Sequence, residues 1–202
     1  MDIMIESVIH EIFKVPIYSV ELDLDIKKLQ LYCKEYENKD NVGRIRSNTG
    51  GYQSNNLSLD DDPLQHIIKE VEIHSNIFAK SFLNSKQTIL NIWFNINRYK
   101  DSNQMHCHPR CGVAGTYYIK TPKDCGTIEF EHPGDYIIEQ YNYDHNHMDE
   151  DNYNAYNATR WWLPVTENTL YLFPAWLKHR VKPNDNKNEE RISMSFNTSY
   201  AT

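Results

Sequence analysis

After Lys86 the spacing of apolar residues along this chain changes from a repeat of about 3.6 to a repeat of about 2. In TILNIWFNINRY, residues 88–99, Leu90, Ile92, Phe94 and Ile96 alternate with Asn91, Trp93, Asn95 and Asn97. That pattern describes a strand with one apolar face and one amide-rich face. Further strands are expected at 112–120, 126–131, 168–173, 176–182 and 190–199. Upstream, EIFKVPIYSVEL at 11–22 reads as an extended segment. Helices are expected over Asp25–Glu37, with Asp25 as cap, and through 61–83, where Asp62 caps, Pro63 takes the first helical position, and Leu64, Ile67, Ile68, Val71 and Phe78 share a face. The polar, glycine-containing stretch 41–56 between them reads as a loop. Helices followed by many strands predict a mainly β chain, an antiparallel sandwich or jelly roll buttressed by N-terminal helices.

The 202 residues suffice for one domain: helical and extended support over 1–87, and a jelly-roll core over 88–200. Residues 134–160, rich in Tyr, Asn and Asp, are expected to form an insertion loop, a lid over whatever the core binds. Fourteen tyrosines and four tryptophans against seven glycines suit β structure. Twenty-one basic and 28 acidic residues give a net charge of −7, which argues against nucleic acid or an anionic membrane as partner. No apolar run approaches the roughly 18–20 residues of a membrane span. The first twenty residues carry Asp2, Glu6 and Glu11 and do not read as a secretory leader. Cys33, Cys107, Cys111 and Cys125 are too sparse for a disulfide scaffold, so reduced thiols and a cytoplasmic location are expected.

The chemistry-bearing motif is QMHCHPRCG at 104–112. On a strand, His106 and His108 project from one face about 6–7 Å apart, and Cys107 projects from the other. In FPAWLKHRVKP, His179 shares a strand face with Leu177 and Val181, and a buried imidazole there needs a partner. Three imidazoles suit iron, zinc or copper rather than magnesium or calcium. The alternatives are weaker. Cys107 and Cys111 have no second Cys/His pair at finger-like spacing. His66 and His74 lie on the second helix, and His145 and His147 in the acidic loop read as solvated. In ERISMSFNTSY, Arg191, Ser193, Ser195 and Asn197 share one face opposite Ile192, Met194 and Phe196. An inward arginine with a serine two residues on can clamp a carboxylate, whereas a surface ion pair with Glu189 or Glu190 would not require that polar strand face.

These residues resemble the iron(II)/2-oxoglutarate oxygenase superfamily: two ligands one residue apart, a distal histidine, then arginine and serine two residues apart. HCHP, AGTYYIKTP, GTIEFEHP, LYLFPAWLKHRVKPN and RISMSFN are similar to a little-characterised bacterial and phage branch of it. The likeness extends over most of the chain, is most specific over 88–200, and leaves out 134–160. It implies a double-stranded β-helix, a cupin-like jelly roll, with Fe(II) held by His106, His108 and His179. With 2-oxoglutarate as cosubstrate and O2, such an enzyme hydroxylates a substrate and releases succinate and CO2. The resemblance assigns the far carboxylate of 2-oxoglutarate to Arg191, with Ser193 and Tyr118 beside it, and the opposite wall to Asn95 and Asn97. At His108 the superfamily usually carries an acid, so the site gains one positive unit. Glu129 and Glu131 are alternative sources of a carboxylate, and the role expected of them is to accept a hydrogen bond from a ligand imidazole. Two rivals keep the metal: a non-catalytic jelly-roll module, and a three-histidine cupin-type dioxygenase that dispenses with 2-oxoglutarate. The Arg191/Ser193 pair speaks against both. The substrate is expected to be a small molecule or peptide entering an aromatic mouth of Trp93, Trp161, Trp162 and Trp176; a homodimer is expected from general prevalence.

Overall fold

The computed structural model describes residues 8–144 and 153–200. Its strands are β1 (Tyr18–Glu21), β2 (Asn48–Thr49), β3 (Tyr52–Gln53), β4 (Gln87–Asn97), β5 (Ser102–His106), β6 (Val113–Lys120), β7 (Ile128–Glu131), β8 (Arg160–Leu163), β9 (Thr169–Pro174), β10 (His179–Val181) and β11 (Arg191–Tyr200); its helices are α1 (Ile26–Lys39), α2 (Gln65–Lys80) and α3 (Asp135–Asp144). The strands form two antiparallel sheets. A six-stranded sheet runs β1-β9-β6-β11-β4-β3, and a five-stranded sheet runs β2-β5-β10-β7-β8. This is the expected jelly roll with helical support. No helix among the described residues is long and apolar enough to cross a membrane.

The alternating faces explain the layers. Along β4 and β11, Ile96, Phe94 and Ile92 stand opposite Ile192, Met194 and Phe196. They join Leu29 and Cys33 of α1 and Ile67, Val71 and Phe78 of α2 in one buried apolar cluster. A second cluster, with Tyr118, Phe130, Phe173 and Leu177, contains residues of both sheets. The other face of the same strands aligns Asn97 with Arg191, Asn95 with Ser193, Trp93 with Ser195 and Asn91 with Asn197. One strand pair therefore carries both the principal core and the polar floor of the site.

Several local expectations are corrected. The register of β11 on β4 shifts between Asn197 and Thr198, so Ile89 rather than Leu90 continues the apolar face, and Leu90 is exposed. Asp25 does cap α1, accepting from the Lys28 N–H at 3.0 Å. Asp62 is instead inside a one-turn 3-10 helix, Asp62–Leu64, that leads into α2. The 41–56 loop contains β2 and β3, two-residue strands too short for a propensity signal. Gly50 and Gly51 turn the chain between them at positive φ, where a Cβ would collide with Asp101 and with the Ile96 carbonyl. Within 134–160, α3 replaces the start of the expected loop and β8 begins at its end. The expectation for His145 and His147 lies outside the described residues.

Candidate functional site

β10 is the middle strand of the five-stranded sheet, and its first residue, His179, sits directly across from His106 at the end of β5. His108 is not on that strand. Pro109 has no N–H to continue a ladder, and the chain turns there, held by the His108 N–H on the Ala175 carbonyl at 2.8 Å. The strand expected at 176–182 is likewise shorter. Residues 175–177 turn, with the Leu177 N–H on the Pro174 carbonyl at 2.9 Å, and pairing starts at His179. Despite these departures the three rings meet: ring centres are 4.4 Å apart for His106–His179 and 5.0 Å for His108 with each of the others.

What fits the cluster to be a ligand set is the partner of each Nδ1. His106 Nδ1 lies 2.7 Å from the Gln104 carbonyl and His179 Nδ1 3.0 Å from the Leu177 carbonyl; His108 Nδ1 contacts Asn197 Oδ1. Carbonyl oxygens only accept, so each Nδ1 carries the proton and each Nε2 lone pair is free. One Nε2 pair, His106 to His108, is 3.1 Å apart. Two lone pairs at that distance repel unless a cation lies between them. Two nitrogens bound at about 2.0–2.1 Å and at right angles to one metal are about 3 Å apart. The possible ligand atoms of all three histidines lie within 4.8 Å of one another, a cluster that fits a transition metal. Asn197 is itself held, donating to Asn91 Oδ1 at 3.0 Å. Phe173 and Phe130 flank His179, and Trp93 stacks on His108.

Glu129 and Glu131 play no part in this set. Pairing aligns His179 with Phe130 and Arg180 with Glu129, so both glutamates face away from the histidines. Glu129 pairs with Arg180 at 2.8 Å and Glu131 with Lys178 at 2.7 Å. The acceptors for the imidazoles are the two carbonyls and the Asn197 amide. Alternation along β11 puts Asn197 on the right face but carries no signal that pairs it with His108, 89 residues away.

Arg191 is wholly buried, and its surface ion pair with Glu189 or Glu190 does not form; Glu190 bonds Lys34 and Lys120 instead. Nη1 donates to the Cys125 carbonyl and, at 3.1 Å, to the Lys182 carbonyl; Nε and Nη2 have no partner. No carboxylate among the described residues pairs with it. Tyr118, across from Ser193, is fully buried with its hydroxyl unpartnered, and burial pushes that hydroxyl up in pKa, so it stays an O–H donor. Asn97, across from Arg191, has a buried Oδ1 without a partner. Lys182 lies three residues past His179, about 10 Å along an extended chain. Asn95 is drawn into a polar chain, donating to Ser195 Oγ and accepting from Asn103, each at 3.5 Å. Of the four tryptophans only Trp93 lines the cavity of about 580 Å³ at His106 and His108; Trp161, Trp162 and Trp176 are exposed outside it.

Residues 91–197 match the family model described as "Putative 2OG-Fe(II) oxygenase", more than half the chain and all of the site. The chain belongs to the 2OG-Fe(II) oxygenases. Those enzymes are oxidoreductases that depend on iron, 2-oxoglutarate and O2. No curated protein matches its sequence. Among solved structures it is similar in fold to a prolyl-4-hydroxylase of Pseudomonas putida, at 10% identity, TM-score 0.65, and coverage of 93% of this chain and 94% of that one. It is also similar to the α-ketoglutarate-dependent epimerase SnoN of nogalamycin biosynthesis, at 15% identity, TM-score 0.63, and 93% and 80% coverage. HygX of Streptomyces hygroscopicus, solved with nickel and 2-oxoglutarate, matches at 8% identity, TM-score 0.60, and 93% and 83% coverage.

In this oxygenase burial lowers the pKa of all three histidines, that of His108 to about 4 and that of His179 well below the ordinary value, where the other two imidazoles add to the effect. The unfolded chain, with histidines near 6.5, then binds more protons below that pH, and stability falls as the pH drops. The metal-free protein is expected to lose urea resistance between about pH 6.5 and about pH 4. The His108→Asn variant should lose less over that window; equal losses would contradict the assignment of His108 as a group held neutral by the fold. The Asn197 contact generates a second expectation. Asn197→Ala should weaken Zn(II) or Fe(II) binding by about 10–100-fold with the fold intact, read by competition with a chromophoric chelator. Unchanged affinity would show that Asn197 does not orient the ligand.

Proposed function

We propose that this enzyme oxidises a C–H bond of its substrate, with His106, His108 and His179 holding Fe(II) and Arg191 and Tyr118 receiving the far carboxylate of 2-oxoglutarate. The observation that carries the reading is the buried Arg191 guanidinium, whose Nε and Nη2 lack acceptors, beside an unpartnered Tyr118 hydroxyl. A guanidinium sealed from water without a counter-ion costs several kcal/mol, and a carboxylate meeting its free edge offsets that cost.

The bound iron would supply the site at which O2 and 2-oxoglutarate react. The net change is 2-oxoglutarate, O2 and R–H giving succinate, CO2 and R–OH. The residues of the chain supply placement. The Cys125 and Lys182 carbonyls fix Arg191 through Nη1 and leave its other nitrogens for the ligand. Tyr118, kept protonated by burial, adds a donor, and Ser193 lines the same strand face. The Asn91–Asn197 pair fixes His108, and the Gln104 and Leu177 carbonyls fix the other two rings, so the donor set is preorganised. The closed face behind His179, built by Phe130 and Phe173, excludes water from that side of the ligands. The third imidazole in place of an acid leaves the bound metal one unit more positive, which should raise its attraction for the anionic cosubstrate.

The test is anaerobic loading with Fe(II) and 2-oxoglutarate, followed by admission of O2 and measurement of succinate. Succinate above a protein-free control is expected even without the prime substrate, and His179→Ala should abolish it. Absence of succinate from the wild-type protein, with iron shown to be bound, would contradict the reading and favour a metal-binding module.

A further inference from the structure

The cavity beside His106 and His108 carries two charges that neither the metal nor 2-oxoglutarate uses. Arg44 and Arg46 line it, together with Trp93, Gln53 and Gln104, and among the described residues its lining contains no aspartate or glutamate, although the chain as a whole carries −7. Among the described residues neither arginine has a carboxylate within ion-pair reach, whereas Arg98, Arg160 and Arg180 each have one. Arg44 Nε is buried without a partner. Its guanidinium carbon lies 5.5 Å from the centre of the Trp93 ring, and Trp93 in turn stacks on His108 at 5.8 Å. One indole therefore separates Arg44 from a ligand imidazole.

The segment bearing the two arginines is fixed at both ends. Asp40 accepts from the N–H groups of Val42 and Gly43, and Arg44 donates its N–H to the Gln53 carbonyl at 2.9 Å. Further on, the Gln104 N–H bonds the Ser47 carbonyl at 2.7 Å. The like charges of Arg44 and of Arg46, which is exposed two residues further on, repel across this short, anchored stretch. Burial and the charge of Arg46 both pull down the proton affinity of Arg44. An oxyanion between them would relieve that repulsion and could be gripped by several charge-assisted hydrogen bonds. Arg191 bonds the Cys125 and Lys182 carbonyls, none of which lines this cavity, and is itself absent from the lining. The two arginine sites are thus separate, and one dicarboxylate does not explain both.

We propose that Arg44 and Arg46 are the substrate-recognition element, and that the substrate is a polar small molecule bearing a carboxylate or phosphate group held at the cavity mouth while its C–H bond reaches the histidine cluster. The inference rests on the proposed oxygenase reading of that cluster. The amide side chains of Gln53, Asn56 and Gln104 around the pair suit a hydrogen-bonding body rather than an apolar one.

The experiment is NMR on the 15N-labelled full chain loaded with Zn(II) in place of iron, following the Arg44 and Arg46 Nε–H and Trp93 indole N–H signals. Inorganic phosphate, acetate and chloride are titrated at matched ionic strength. Saturable shifts of all three groups with phosphate or acetate, and not with chloride, are expected; the oxyanion with the lower midpoint identifies the substrate's anionic group. In Arg44→Gln/Arg46→Gln the Trp93 response should weaken by at least about ten-fold, as expected for loss of two charge-assisted contacts. The inference is overturned if neither oxyanion outdoes chloride, or if the Trp93 response survives the double substitution. It is also overturned if 2-oxoglutarate moves the Arg44 signal at lower concentration than it moves that of Arg191, which would make the pair the cosubstrate site. Succinate formation is scored separately. Anion binding at Arg44 without succinate would contradict the oxygenase reading alone, and succinate without anion binding would contradict this inference alone.

Discussion

A fully buried guanidinium with no carboxylate beside it is expensive to keep, and Arg191 is such a group. Two backbone carbonyls hold one of its nitrogens and leave the remaining edge open towards Tyr118 and Asn97. Folding alone does not need this arrangement, since an apolar side chain of similar volume would fit a strand centre at lower cost. The strands that surround Arg191 explain how the protein tolerates it. β11 is paired along its length with β4, Arg191 opposite Asn97, and from Ile192 to Asn197 with β6 on the other side, so the backbone at Arg191 is fixed by a ladder rather than by its side chain.

The same strand pair divides the molecule's tasks between two faces. Ile92, Phe94 and Ile96 with Ile192, Met194 and Phe196 build the core against the helices, while the alternate residues build the polar floor from Arg191 to Asn197. At one end of that floor lies the buried arginine, and at the other lies the amide that sets the tautomer of His108. The proposed cosubstrate clamp and the amide that holds His108 are thereby carried by one rigid strand, which limits the ordering needed on binding.

Much of this could be read from the chain itself, for a definite reason. A period of two residues fixes which side chains share a face, so the polar faces of 88–97 and 190–199, with Arg191 and Ser193, follow from alternation. The helical faces of 25–37 and 64–78 follow from the other period. Parity fails where the strand does. Pro109 takes His108 off β5, and a register shift moves Leu90 out of the core. Glu129 and Glu131 share a face, as expected, but only pairing with β10 shows that it is the face opposite His179. Partners far apart in sequence, such as Asn197 with His108 or the Cys125 carbonyl with Arg191, leave no local signal. Arg44 and Arg46 sit in a segment with no periodicity at all, and only the fold brings them to the cavity.

The central claim is that the uncompensated edge of Arg191 exists for the carboxylate of 2-oxoglutarate. Its most direct test is anaerobic calorimetry of 2-oxoglutarate binding to the metal-loaded protein, wild type against Arg191→Gln, with circular dichroism confirming that both are folded. Two hydrogen bonds to a charged group, each contributing about 1.5–3 kcal/mol, set the expected loss of affinity at about 100-fold or more. An Arg191→Gln protein that binds 2-oxoglutarate as tightly as the wild type would contradict the claim.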